Sequence, residues 1–453
     1  MTSRGVMIPL QGGPPCDLLG IGFGPSNLAV AAAIASQPAE QWVGKRISFL
    51  ERSPTFSWHQ DMLLEGARMQ IAFLKDLVTQ TNPTSPYSFV NYLFERGRIE
   101  DFLNLRTMYP TRIECHDYFS WAAEKLRRYV RYGCEVTAIR PHRAAGETID
   151  LLEVSYRDRE TLEERVELAK NVVLSVGGQP TLPACVSPSM LDGRVFHNAQ
   201  FLSRIAPFAA AGKDRPYRFL VVGGGQSAAE VFQYLAREFP AASIVLAVRR
   251  FCLMPANSSP HANEIFNPEM VNFFFDLPDE RKRDLLHNLH HTNYSAVDEE
   301  VISSIFNLIY DQKVQATQRL RLLRLKELIR CERQGDTVIA SLKCLATGET
   351  LTDSYDGVVL TTGYDFRHSE RLLSELGRHL VFTESGAPSI RRDYSIETVP
   401  ALRARIYLQG ATEHTHGLTS TLLSVLPYRA RDILTSTFGA QPQIDAAVGS
   451  LGK

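Results

Sequence analysis

The stretch Asp17-Leu18-Leu19-Gly20-Ile21-Gly22-Phe23-Gly24-Pro25-Ser26-Asn27 decides the fold, because its pattern returns about two hundred residues later. The second copy reads Phe219-Leu220-Val221-Val222-Gly223-Gly224-Gly225-Gln226-Ser227-Ala228-Ala229-Glu230. In each, a short apolar run ends in glycines and then enters a segment that reads as helix. Such an order delivers a buried strand to a tight turn, where glycine lets the backbone approach a pyrophosphate. The following helix then aims its N–H groups and positive dipole end at the phosphates. One glycine-rich turn is a weak signal, but two in one chain predict two nucleotide sites, one for a resident flavin and one for a nicotinamide donor.

The predicted fold is α/β, with two Rossmann-like dinucleotide-binding domains and a helical substrate-binding insert. The first domain, for FAD, spans 16–205, after a tail at 1–15 rich in proline and glycine. The second, for NADPH, spans 210–380 and carries the helical, aromatic insert at about 257–323. Residues 381–440 return to complete the first site through a strand near Ile406, leaving a tail at 441–453. Within the first unit, Ile47–Leu50 reads as the second strand and ends at Glu51, where a carboxylate suits the ribose hydroxyls of an adenosine. Glu51 follows Gly20 by thirty-one residues instead of the usual ~20, and an insertion at 36–44 accounts for the excess. A surface glutamate that merely ends a strand is the alternative. In the second unit the matching strand, 243–248, ends at Arg249 and Arg250. A cation there suits the 2′-phosphate of NADPH, although solvated arginine pairs are common at strand ends.

Composition excludes several classes. The formal net charge of -1 gives no field that would draw nucleic acid or an anionic membrane. No apolar run reaches the ~18 residues of a membrane span, and the N-terminus lacks a secretory core, so the cytoplasm is the expected compartment. The seven cysteines are scattered without a CxxC or CxxxxC pair, which argues against a flavin disulfide reductase. His287, His290 and His291 have helix-face spacing but no completing ligand nearby, so no metal site is expected.

Several further stretches together resemble the microbial N-hydroxylating flavoprotein monooxygenases of siderophore biosynthesis, most closely the pyoverdine-type L-ornithine N5-monooxygenases. They are 20–25, Trp58-His59, 69–77 (Met-Gln-Ile-Ala-Phe-Leu-Lys-Asp-Leu), 82–90, 223–227, 263–266, 292–295, 356–364 and 416–424. Residues 191–201 resemble a degenerate form of the wider class B monooxygenase fingerprint. The resemblance implies that Gly20, Gly22, Gly24, Pro25, Ser26, Glu51, Trp58, His59, Gln70 and Val136 contact FAD, with Thr421, Leu422 and Leu423 closing over it. It implies NADPH contacts from Gly224, Gly225, Gln226, Ser227, Arg249, Asn293, Tyr294 and Ser295. Lys75 and Asn263 would hold the amino-acid head of the substrate, and Asn293 and Ser424 would lie near its reactive end. A lysine with an asparagine is chemically sensible for a carboxylate and an ammonium.

The implied reaction is N-hydroxylation of L-ornithine by O2 to N5-hydroxyornithine, through a C4a-hydroperoxyflavin, with no protein group as catalyst. Alternatives are an L-lysine N6- or diamine N-monooxygenase, a flavin disulfide or quinone reductase, and a nucleotide-sensing module. Lys75 disfavours a diamine, which has no carboxylate. Assembly stays open between a monomer and a homo-oligomer such as a tetramer. Two departures from the family pattern are Thr361, where alanine is usual, and the polar His261 before Ala262.

Overall fold

In the computed structural model, which describes residues 13–142, 148–257 and 259–439, the two glycine turns lie at equivalent ends of two five-stranded parallel sheets. The first sheet runs in the order Arg405–Leu408, Asn171–Leu174, Leu18–Ile21, Ile47–Leu50, Val130–Arg131. The second runs Leu320–Leu323, Ser243–Ala247, Arg218–Val222, Gly357–Leu360, Val195–His197. Every neighbouring pair is parallel, which explains the continuous apolar runs: such strands are covered on both faces. Leu18–Ile21 is buried at all four positions. Each unit also carries a three-stranded antiparallel sheet, over 134–169 in the first and 326–355 in the second.

The helix Pro25–Ala35 shows how sequence becomes packing. Ala29, Ala31 and Ala32 are fully buried and let it lie close to the helix Leu426–Phe438. Leu28, Val30 and Ile34 have no exposed surface, each worth about 1.5–3 kcal/mol relative to solvent. The return segment is therefore part of the first core.

Sheet membership moves three of the expected boundaries. Val195–His197 lies inside the expected 16–205 unit, yet it is the edge strand of the second sheet. The helix Phe201–Ala211 that follows buries Phe201, Ile205 and Phe208 in the second core. Conversely, 367–379 falls within the expected second unit but buries Leu373 and Leu376 in the first core, and Arg140 pairs with Glu375. The insert is also shorter than 257–323. Leu320–Leu323 is a strand of the second sheet, and Glu299–Val314 packs Ile305 into that domain's core. The expected tail residues 1–12 and 441–453 lie outside the described residues. Among the described residues no helix is long and apolar enough to cross a membrane, and no cluster of metal-ligating side chains occurs.

Candidate active site

The first turn is built by contacts that exclude side chains. A Cβ on Gly20 would overlap the Phe49 ring, and one on Gly22 would overlap the Ser175 carbonyl. Gly22 has φ +82°, a conformation that favours glycine. Buried Asn27 braces the turn, donating through Nδ2 to the Gly22 carbonyl at 2.7 Å, and Gln409 donates to Asn27 Oδ1 at 3.0 Å. Around Gly24, by contrast, the space where a Cβ would sit is open, and the helix starts at Pro25 with no capping side chain. An uncapped, dipole-positive helix end beside open space fits a pyrophosphate. Glu51 stands at the next strand end, its Oε2 accepting from the Phe23 N–H at 2.6 Å and its Oε1 from the Ser53 N–H at 2.8 Å. The carboxylate is thus locked beside the turn.

Trp58 meets Phe119 edge-on at 5.2 Å, and His59 sits edge-on to Trp58 at 4.8 Å with φ +48°. His59 is solvent-exposed yet has protein packed densely around it. That enclosure, with repulsion from Arg112, lowers its pKa to about 4, so the imidazole is neutral at physiological pH. Val136 lies half-buried against the first core, beside a register irregularity in its strand.

The second turn repeats the logic. Gly223 has φ +148°, and a Cβ there would overlap Thr361. Thr361, the departure from the family pattern, is buried and donates Oγ1 to the Val222 carbonyl at 2.8 Å, so its hydroxyl is satisfied and uses the volume that Gly223 leaves. Gly225 caps the helix Gln226–Glu238 without a side-chain bond, and the Ser295 backbone lies 3.4 Å from where its Cβ would stand. Ser295 is thereby brought to the turn. The Gln226 side chain is engaged at both ends, donating to Glu230 and accepting the Asp298 N–H, so its backbone N–H is the group left for a phosphate. Arg249 is 75% exposed and 3.7 Å from Glu327, a loose pair open to another anion.

The substrate candidates come from three places. Lys75 is half-buried, and among the described residues nothing pairs with its ammonium. Its segment has no regular secondary structure but is pinned by buried Asp76, which accepts from the Phe89 N–H (2.7 Å), the Thr79 N–H (2.7 Å), the Thr79 hydroxyl (2.7 Å) and the Val78 N–H (3.0 Å). Burial raises the Asp76 pKa, and these donors oppose it. Asn263 ends the short helix Pro260–Asn263, and the next turn places Ile265 with Phe274, His416 and Leu418 around a small apolar cavity. Ser424 is 2% exposed and its Oγ has no hydrogen-bond partner among the described residues. Asn293 closes the helix Asp279–Asn293, and its side chain lies outside the described residues, as do those of His290 and His291.

Tyr294 joins the units, its hydroxyl donating to Glu413 at 2.8 Å and lying 3.4 Å from Thr421 Oγ1. Burial raises the Glu413 pKa, with the Tyr294 bond opposing. Leu422 and Leu423 follow Thr421, and Leu423 opens the single turn Leu423–Val425 that leads into the last helix. The turn over 417–421 is held by Ser420 to Thr412 (2.8 Å) and by buried Arg429, which donates to the Thr419 carbonyl at 2.9 Å. Asp76, Arg112, Glu230, Glu413 and Arg429 were not singled out from sequence. Asp76, beside Lys75 in the quoted stretch 69–77, and Glu230, closing the quoted stretch 219–230, stood where a signal could have been read.

The family model for L-lysine 6-monooxygenase/L-ornithine 5-monooxygenase matches residues 15–366. The L-ornithine N(5)-monooxygenase of Pseudomonas aeruginosa is 38% identical over 422 residues, 93% of each chain. That of Burkholderia cepacia is 39% identical over 429 residues, 94% of this chain and 96% of the other. The solved ornithine N-hydroxylase of Kutzneria sp. 744, with reduced FAD, NADP+ and L-ornithine, has a TM-score of 0.87 at 39% identity and covers 94% of this chain and 99% of its own. The chain therefore belongs to the L-lysine 6-monooxygenase/L-ornithine 5-monooxygenase family of flavin-dependent N-hydroxylating enzymes.

Proposed function

We propose that this chain converts L-ornithine, O2, NADPH and a proton into N5-hydroxyornithine, water and NADP+, with FAD resident at the first glycine turn. The observation that carries the substrate reading is the Lys75 ammonium, without a partner among the described residues, on a loop fixed by Asp76, a receptor for a carboxylate that never reacts. The ornithine enzymes among its relatives support the same reading. Bound flavin supplies the chemistry, taking hydride from NADPH and activating O2. The protein's part is placement. The open space at Gly24 and the helix start at Pro25 and Ser26 receive the FAD pyrophosphate, and Glu51 receives its ribose. Gly224, Gly225 and the Gln226 and Ser227 N–H groups receive that of NADPH. Thr421, Leu422 and Leu423 shield the reacting centre from water, and Ser424 donates its unsatisfied hydroxyl there. Such a product is a hydroxamate precursor, which suits siderophore assembly in the cytoplasm.

Two results test this reading. Product mass spectrometry with ornithine, lysine and a diamine should give hydroxylamine from ornithine. Lysine should mainly drive NADPH oxidation and H2O2 release. With the head pinned by Lys75 and Asn263, one extra methylene carries the amine out of a near-attack pose of ~3–3.5 Å. Equal hydroxylation of lysine would reverse the substrate assignment. Separately, Arg249→Ala should raise the NADPH KM about tenfold and leave the NADH KM unchanged. An exposed charge-assisted contact is worth roughly 1.5 kcal/mol, the low end for such bonds. Equal use of both nicotinamides by the parent enzyme would count against Arg249.

A further inference from the structure

Arg112 and Glu230 form a nearly buried ion pair between the two domains, their side chains 14% and 4% exposed. Arg112 opens the first-domain helix Arg112–Lys125, and Glu230 lies one turn into the helix of the second glycine turn. The contact is bidentate, Nη1 to Oε2 and Nη2 to Oε1, both at 2.7 Å, and Nη1 also donates to the Met62 carbonyl at 2.9 Å. From Glu230 the bonding continues. Gln226 Nε2 donates to Glu230 Oε1 at 3.0 Å, and Gln226 Oε1 accepts the Asp298 N–H at 2.9 Å. Asp298 Oδ1 then accepts from Gln70 Nε2 at 2.9 Å, back in the first domain. Both ends of this chain are thus anchored in one domain, and its middle is the start of the other domain's phosphate-facing helix.

We propose that Arg112 and Glu230 are positioning residues for hydride transfer, setting the nicotinamide-binding turn at a fixed place over the flavin domain. This rests on the reading of the two turns given above. A buried ion pair adds little net stability, because desolvation offsets its attraction, but it has a defined geometry, and loss of one partner strands a charge. Relative motion of domains within one chain is the default expectation, and a misplacement of about 1 Å costs on the order of 100-fold in rate. A bidentate clamp one turn from the phosphate-facing N–H groups removes that freedom where it matters.

The test uses the full-length, FAD-loaded protein with Glu230→Gln, Arg112→Gln and the double variant. At saturating NADPH, each single variant should reduce its flavin at least tenfold more slowly, with FAD content unchanged. The double variant should be no slower than the worse single, because both remove one shared interaction. Hydrogen exchange of flavin-free protein gives a readout independent of turnover: residues 60–67 and 226–235 should exchange faster in the variants. Parental reduction rates in both singles, losses that multiply in the double, or unchanged exchange would each overturn the proposal. If the buried variants fail to fold, Asp298→Ala at the half-exposed end of the chain should still slow reduction at least threefold, and a parental rate there overturns it too. A parent that neither binds FAD nor is reduced by NADPH would sink the functional reading instead, so the two failures are distinguishable.

Discussion

Lys75→Ala is expected to raise the ornithine KM about 100-fold while flavin reduction by NADPH stays near the parental rate. Truncating one member of a hydrogen-bonded charge pair costs roughly 2–5 kcal/mol. The half-exposed setting of Lys75 argues for the lower part of that range, and about 3 kcal/mol is about 100-fold. The split between the two measurements follows from chemistry. The carboxylate is remote from the reacting nitrogen, so its contact is the same in ground and transition states, and its loss is felt chiefly in KM. Steady-state product formation over a range of ornithine, with stopped-flow reduction beside it, checks both halves. A parental ornithine KM would remove Lys75 from the site, and equal loss in the reduction step would mean that the substitution disturbs the fold. The Asp76 network makes the second outcome unexpected, because its donors fix the backbone without the Lys75 side chain.

The parts legible in the sequence were those whose pattern is local. Gly20, Gly22 and Gly24 mark a turn by their spacing after an apolar run, although the atoms that exclude a side chain at Gly20 and Gly22 belong to Phe49 and Ser175, far along the chain. The run ahead of them is apolar because a central parallel strand is covered on both faces. The same holds for Gly223–Gly225. What escaped was set by partners far along the chain. Val195–His197 reads as a short apolar strand, but nothing in three residues says which sheet it joins; pairing with Gly357–Leu360 decides it. Glu299–Val314 carries the same amphipathic pattern as a substrate-bearing helix, and only the seating of Ile305 in the second core identifies it as that sheet's own connection. Arg112 and Glu230 are 118 residues apart, and each alone looks like an ordinary helical surface charge. Of the residues proposed by resemblance, Glu51 lies against the first turn, Ser295 against Gly225, and Tyr294 beside Thr421 of the return segment.

Gly22→Ala and Gly24→Ala should fail for different reasons, and that difference tests what the first turn is for. At Gly22, φ is +82° and the added methyl overlaps the Ser175 carbonyl, a backbone atom at the end of the neighbouring strand. The left-handed conformation alone costs roughly 1–2 kcal/mol for a residue with a Cβ, and the overlap can be relieved only by parting two central strands. We therefore expect Gly22→Ala to lower the melting temperature of flavin-free protein by more than 10 °C or to leave it insoluble. Gly24 has φ -75°, and its Cβ would meet nothing within 4 Å. Flavin-free Gly24→Ala should melt with the parent, since no protein atom is displaced. Its methyl would stand at the helix start where the phosphate oxygens must approach the N–H groups, so FAD affinity should fall at least tenfold. Thermal melts of both apoproteins and FAD titrations of the soluble ones make the comparison. If Gly24→Ala binds FAD as tightly as the parent, the open space beside Pro25 is not the pyrophosphate site, and the assignment of the first turn to flavin loses its physical basis.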